Sequence, residues 1–195
     1  KAEHEIISDR IVAGTYIIAA LMLNSALEIN NFNTIYLKSL IDILKKMGAK
    51  LKVSKNSIKV STGSKLKSTS LSTSPYPGFP TDLQAQLMSL MCISDGKSKI
   101  KETIFENRFM HVPELNRLGA NITVEKDTAT IIGNQTFKGA QVMASDLRAS
   151  ISLVLAAMNA NGQTTLNRVY HLDRGYENIE KTLGSLGAKI KRQKN

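Results

Sequence analysis

The chain repeats one pattern three times, and this limits its fold more than any single motif does. Three stretches open on a hydroxyl–Asp pair: Ser8-Asp9-Arg10, Thr81-Asp82-Leu83 and Ser145-Asp146-Leu147. Each runs about 40 residues to a Gly-Ala step, at Met47-Gly48-Ala49-Lys50, Leu118-Gly119-Ala120-Asn121 and Leu186-Gly187-Ala188-Lys189. Repetition at a fixed spacing means that one supersecondary unit is used several times, each copy bringing its acid and Arg residues to an equivalent place. The copies are placed at about residues 4–62, 75–133 and 140–192 of one domain spanning 1–195.

The second copy shows the unit most clearly. Thr81 or Asp82 can cap a helix whose next residues, Leu83 to Met91, are apolar on almost every side, which marks a buried helix. Asp95-Gly96 breaks it, and Lys99–Ile104 alternates as a strand. A second helix follows, with Val112, Leu115 and Leu118 on one face, Pro113 near its start and Gly119 just past its end. Ile122/Val124 and Ala129/Ile131 then alternate about Glu125-Lys126-Asp127 as a hairpin.

The first copy has the same order, with Leu37, Leu40, Ile41, Leu44 and Met47 on its second helix and a hairpin pairing Leu51/Val53 with Ile58/Val60. In the third, Tyr176, Ile179, Leu183 and Leu186 make that helix face. Short apolar segments before the opening Asp, Ile6-Ile7 and Val142-Met143, read as entry strands. The unit is therefore β-α-β-α-β-β, with right-handed parallel crossovers expected. Ser61–Ser74, rich in Ser, Thr and Lys, reads as a solvated edge strand with a turn, or as a disordered linker. The third copy stops early. After Gly187-Ala188 no returning hairpin strand remains, which leaves an unpaired edge for another segment or a partner to cover.

A chain of 195 residues can bury a full core, and its single Cys excludes a disulfide framework and fits a reducing compartment. The net charge of +10 is mostly scattered Lys, compatible with an anionic substrate or with a basic surface that has no partner. Five Phe, five Tyr and no Trp leave little aromatic surface for stacking on bases, so nucleic acid is not the expected partner. Ile11–Leu23 has the look of a signal segment, but equivalent apolar runs recur at Leu87–Ile93 and Ile151–Met158, so it reads as a core helix. None reaches the roughly 18–20 apolar residues that cross a bilayer. A soluble, cytoplasmic protein that binds no membrane is expected.

Ligands of open α/β sheets gather at the loops that follow the strands. Here those loops hold Asp9-Arg10, Asp82, Glu106-Asn107-Arg108, Asp146-Leu147-Arg148 and Asp173-Arg174, and four of the chain's seven arginines fall among them. Arg offers a planar fork that matches carboxylate and phosphate oxygens, and adjacent helix N-termini add partial positive charge. Such a face suits an anionic substrate that carries a hydroxyl to deprotonate. Local Asp–Arg pairing and helix capping is the competing reading, and for Asp9-Arg10 both stay open. Arg108, Arg148 and Arg174 are more than capping needs. Cys92, inside an apolar helix, reads as a buried inert thiol. His111 and His171 lack metal-ligand spacing. P-loop and GxGxxG motifs are absent, and no cofactor is expected. Ala13-Gly14-Thr15 reads as a close-packing turn of the first helix.

Four strings then resemble the carboxy-terminal half of the UDP-N-acetylglucosamine enolpyruvyl transferases, within the EPSP synthase-like enolpyruvyl transferase family. They are Pro77-Gly78-Phe79-Pro80-Thr81-Asp82-Leu83-Gln84-Ala85-Gln86, Glu102 through Leu115 with its core Phe105-Glu106-Asn107-Arg108-Phe109-Met110-His111, Ser145-Asp146-Leu147-Arg148-Ala149-Ser150, and Tyr170-His171-Leu172-Asp173-Arg174-Gly175-Tyr176-Glu177. The resemblance runs from about His4 to Arg192. The sibling enzymes acting on shikimate 3-phosphate share the fold but not these strings.

The resemblance implies an inside-out α/β barrel domain of three βαβαββ repeats, the third lacking its last strand. It implies transfer of the enolpyruvyl group of phosphoenolpyruvate to the 3′-hydroxyl of UDP-N-acetylglucosamine with release of phosphate, the first committed step of peptidoglycan synthesis. By the same resemblance Asp82 holds and deprotonates the sugar hydroxyl, and Ile104 meets the UDP-sugar through its backbone, with Phe105 and Glu106 beside it. Arg108, Arg148 and Arg174 meet the phosphate and carboxylate of phosphoenolpyruvate, Arg174 being catalytic alongside Asp82, with Asp146 nearby. The chain departs from the family in lacking the amino-terminal domain with its reactive Cys, a position Cys92 does not match. In the family the extreme amino terminus returns to complete this domain. The partner implied is that amino-terminal half, as the same polypeptide or a separate chain, and the chain alone is expected to be inactive. A free-standing non-catalytic module that keeps the fold and binds a ligand or partner is the alternative.

Overall fold

A helix with no polar face has to be enclosed, and three such helices lie among the described residues. The computed structural model describes residues 2–193. In chain order its elements are α1 (Arg10–Met22), β1 (Leu27–Asn30), α2 (Lys38–Lys46), β2 (Leu51–Val53), β3 (Ser57–Val60), β4 (Leu71–Ser72), α3 (Gln84–Ile93), β5 (Lys97–Lys101) and α4 (Val112–Arg117). They continue as β6 (Asn121–Glu125), β7 (Thr128–Ile132), β8 (Gln141–Met143), α5 (Leu147–Asn159), β9 (Thr165–Asn167) and α6 (Ile179–Ser185). Helices α1, α3 and α5 pack on one another at the centre, and three small sheets lie outside them. This helices-inside arrangement is the expected one. Every residue of α3 from Gln84 to Cys92 is buried.

The middle sheet has the order β4-β5-β7-β6. β4 and β5 run parallel across the intervening α3, and β5 then pairs antiparallel with β7. The hairpin forms in the expected register, Ile122 opposite Ile131 and Val124 opposite Ala129. The first sheet, β1-β3-β2, pairs Leu51 with Val60 and Val53 with Ile58, also as expected. The third is a parallel pair, β8-β9, connected through α5. Gly119 sits just past α4 at φ 100°, the left-handed conformation that glycine adopts without steric cost. Gly14 lets α1 approach its neighbours, since a Cβ there would stand 2.7 Å from Leu83 Cδ1.

Several expectations need correction. Ile6-Ile7 forms no strand, and these side chains are 89% and 62% exposed. β1 pairs only with β3, so the entry position that β4 holds beside β5 has no equivalent in the first set. Among the described residues the third set forms neither hairpin strand, and 188–193 is irregular chain. β9 there pairs with β8 alone, whereas β5 has a neighbour on each side. Leu186, assigned to the buried face of α6, is 55% exposed; Tyr176, Ile179 and Leu183 are buried against α5 as expected. Ser61–Ser74 does supply an edge strand, but only Leu71–Ser72. β5 begins two residues earlier than its alternation suggested and ends before Glu102.

Candidate active site

The three hydroxyl–Asp pairs head the three buried helices, yet they do different work. Asp9 Oδ1 accepts the N–H groups of Ile11 and Val12 at 2.7 and 3.1 Å. Asp146 Oδ1 accepts those of Arg148 and Ala149 at 2.7 and 2.9 Å. Both are N-caps, which satisfy donors that a helix leaves orphaned at its start. The second copy differs. Pro80 leads into a 3-10 turn, Thr81–Leu83, before α3, and neither Thr81 nor Asp82 caps the helix. The Asp82 carboxylate is left for other partners.

Those partners are two arginines from different copies. Arg108 Nη2 lies 3.1 Å from Asp82 Oδ1, and Arg148 Nη2 lies 3.0 Å from Asp82 Oδ2. Arg148 stands in the first turn of α5. Arg108 follows Asn107, whose φ of 54° is one that Asn tolerates better than most residues. The Arg108 guanidinium also lies over the Phe105 ring, 5.4 Å from its centroid. The arginine side chains are 24% and 20% exposed and that of Asp82 is 40% exposed, so the cluster is open enough for a ligand to reach.

Beside it runs the loop that carries Ile104, Phe105 and Glu106, lining a cavity of about 700 Å³ together with Lys126 of the β6–β7 turn. Glu102 organises this loop. It is 4% exposed, and its carboxylate accepts from Thr73 Oγ1 (2.7 Å), Thr81 Oγ1 (2.9 Å) and the N–H groups of Ile104 (2.9 Å) and Phe105 (3.4 Å). Sequence reasoning missed Glu102. The period-two alternation of β5 held the signal, since Lys97, Lys99 and Lys101 are exposed while Ser98, Ile100 and then Glu102 are buried.

A second missed group lies beneath Asp82. Gln86 Nε2 donates to the Asp82 carbonyl at 2.9 Å and to Thr15 Oγ1 at 3.2 Å, and Thr15 shares a 2.8 Å hydrogen bond with the Tyr176 hydroxyl. One residue from each copy thus joins a buried polar node between the helices. Helical spacing hid it, because Thr15 and Gln86 lie in runs that read as purely apolar.

Other candidates fall outside the cluster. Arg10 donates to the Tyr36 carbonyl at 3.3 Å and lies over the Tyr76 ring. Arg174 is exposed at the end of the 3-10 helix Val169–Arg174, and among the described residues no ion pair or hydrogen bond joins it to Asp82. Asp173 is held by Arg192 at 2.9 and 2.5 Å, which keeps its carboxyl below the usual range. Cys92 is buried, and burial pushes its thiol up to about 12, in keeping with the inert reading. His111 is buried. Burial lowers it to about 4, with Asp146 acting upward and Arg108 downward. Among the described residues no group of three His, Cys, Asp or Glu is placed to hold a metal.

In such a cluster the guanidinium groups can hold an anion, and the carboxylate between them can take a proton from a neighbouring hydroxyl. Comparisons with known proteins bear on which anion. Residues 1–183 match the profile of EPSP synthase (3-phosphoshikimate 1-carboxyvinyltransferase). UDP-N-acetylglucosamine 1-carboxyvinyltransferase of Pelagibacter ubique is 53% identical over 190 residues, covering 97% of this chain and 46% of that protein. A second enzyme of that name from Mesorhizobium japonicum is 52% identical over 191 residues, covering 98% and 46%. The chain spans about half the length of the curated relatives it matches. The crystal structure of the enolpyruvyl transferase NikO from Streptomyces tendae superposes with a TM-score of 0.88 at 30% identity, over 95% of this chain and 44% of that one. EPSP synthase from Acinetobacter baumannii, at 16% identity and a TM-score of 0.78 over 97% of this chain and 48% of that one, shares the fold. The family match over most of the chain, the relatives at about half identity and the shared fold together place this chain in the EPSP synthase family of enolpyruvyl transferases.

Proposed function

We propose that this chain is the part of a UDP-N-acetylglucosamine 1-carboxyvinyltransferase that presents the base and the anion-binding arginines. The observation that carries this reading is Asp82 held between Arg108 and Arg148. In the proposed reaction the 3′-hydroxyl oxygen of UDP-N-acetylglucosamine bonds to the enol carbon of phosphoenolpyruvate. The bond from that carbon to the phosphate oxygen breaks, and phosphate leaves carrying, in the balance, the hydroxyl's proton. Asp82 takes that proton from the hydroxyl, and Arg108 and Arg148 hold the carboxylate and phosphate of phosphoenolpyruvate. Arg174 joins them when substrate is bound. Asp146 acts through its cap of α5, which orients Arg148. Ile104, Phe105 and Glu106 line the nucleotide-sugar side. The remaining half of the relatives' length supplies the other wall of the site, as a domain of the same polypeptide or as a separate chain. The setting is the cytoplasm, and the product feeds peptidoglycan synthesis. No helix of the described residues is long and apolar enough to cross a membrane.

The test is phosphate release from phosphoenolpyruvate and UDP-N-acetylglucosamine, by this chain alone and mixed with the separately expressed amino-terminal half of the Pelagibacter ubique relative. Release only in the mixture, lost with Asp82→Asn, is the expected result. Turnover by the chain alone overturns the half-site reading. Binding of either substrate without turnover, with both halves folded, favours the non-catalytic module.

A further inference from the structure

Among the described residues no ion pair joins the buried Glu102 carboxylate, and such burial is costly unless its lone pairs are used. Here donors supply that need, and two of them are obligatory: the backbone N–H groups of Ile104 and Phe105 have nothing to do but donate. The Thr73 hydroxyl has its direction set as well. It accepts the N–H of Thr103 at 2.9 Å, which leaves its own proton for Glu102. Thr103 Oγ1 returns a hydrogen bond to the Thr73 carbonyl at 2.5 Å, locking the loop to the chain just after β4. The fourth donor, Thr81, is the residue before Asp82. One carboxylate therefore fixes the loop of Ile104 and Phe105 and the turn of Asp82 to a common point.

We propose that Glu102 is a positioning residue. It sets the Ile104–Phe105 backbone against Asp82, so that a nucleotide sugar held along the loop brings its hydroxyl to the carboxylate. This rests on the reading of the site as one for UDP-N-acetylglucosamine. Among the described residues no ion pair or hydrogen bond joins Arg108 or Arg148 to Glu102; both meet Asp82, and Arg108 also lies over the Phe105 ring. Glu102 thus acts on sugar binding more than on anion binding.

The experiment compares this chain with Glu102→Ala, Glu102→Gln and Thr73→Val. UDP-N-acetylglucosamine and inorganic phosphate are titrated separately, and amide hydrogen exchange is followed at Ile104 and Phe105. Glu102→Ala is expected to weaken sugar binding about tenfold or more and to speed exchange at both amides by a similar factor, with phosphate affinity unchanged within about twofold. Glu102→Gln keeps an acceptor for the backbone N–H groups and offers its amide to the Thr81 hydroxyl, so it stays within about threefold of the parent throughout. Thr73→Val, which retains the shape, falls between them and serves if Glu102→Ala fails to fold. Unchanged exchange and sugar affinity in Glu102→Ala overturn the proposal, as does a loss of phosphate binding equal to the loss of sugar binding. A parent chain that does not bind the sugar overturns the UDP-N-acetylglucosamine reading instead; the exchange rates in the Ala and Gln variants then still decide whether Glu102 holds the loop.

Discussion

Arg148 Nη2 stands 3.0 Å from Asp82 Oδ2, although one residue opens the helix of the third copy and the other precedes that of the second. Arg108 occupies the other carboxylate oxygen at 3.1 Å. At the exposure of these groups each pair contributes about 1 kcal/mol or less to stability. On the proposed reading their consequence lies in ligand binding, because Asp82 occupies the guanidinium groups that an incoming anion would need.

Asp82→Asn is therefore expected to act in two directions. Removing the competing charge should raise the affinity for inorganic phosphate or phosphoenolpyruvate by about twofold to fivefold, while abolishing phosphate release in the complemented enzyme. Calorimetric titration at low salt checks the first effect and the phosphate assay the second. Weaker anion binding in this variant would mean that Asp82 does not compete for the arginines.

Arg148→Lys keeps the charge and loses the planar fork. Since charge-assisted bonds are worth about 1.5–3 kcal/mol, phosphoenolpyruvate affinity should fall by roughly 10- to 100-fold. The variant should melt within a few degrees of the parent, because the first turn of α5 is held by the Asp146 cap, not by the Arg148 side chain.

Tyr176→Phe tests the buried node. The hydroxyl of Tyr176 bonds Thr15, whose oxygen also accepts from Gln86. Its removal should cost about 1 kcal/mol, and Gln86→Leu should cost roughly 1–3 kcal/mol because it removes two hydrogen bonds at once, to the Asp82 carbonyl and to Thr15. Urea unfolding gives both values. A double variant that costs less than the sum of the singles would show that the node acts as a unit.

His111 supplies a pH signature. Burial lowers it from 6.5 to about 4, so the folded protein disfavours the protonated form. Between those values the unfolded chain takes up a proton that the native protein does not, and stability is lost as pH falls through that window. The loss from this group reaches roughly 3 kcal/mol. Denaturant titrations at pH 7 and pH 4.5 should show a smaller difference in His111→Gln than in the parent, with carboxylate titration common to both.

Much of the fold was legible because its signals are local. Apolar runs such as Leu83–Met91 demand enclosure, and the alternation of Ile122/Val124 with Ala129/Ile131 sets a hairpin and its register through short-range pattern alone. Arg108 and Arg148 were legible as residues of loops that follow strands, the second strand of the second copy and the first of the third, whereas Arg174, read together with them, stands outside the Asp82 cluster. Ile6-Ile7 misled for a related reason: apolar content suggests a strand, but a strand forms only beside a partner, and no neighbour receives this one.

By itself the sequence determined the buried helices, the hairpins of the first two copies and the loops that hold acid and arginine. Only the tertiary structure decided which of the three aspartates is not spent on a helix cap. Asp9 and Asp146 spend their carboxylates on helix N–H groups, whereas the turn after Pro80 releases Asp82 to meet arginines from its own copy and the next. Capping geometry and contacts between copies depend on where whole elements stand, and residue patterns along the chain do not encode that directly. The same holds for Glu102, a strand-end glutamate in sequence that folding turns into the buried anchor of the loop beside the site.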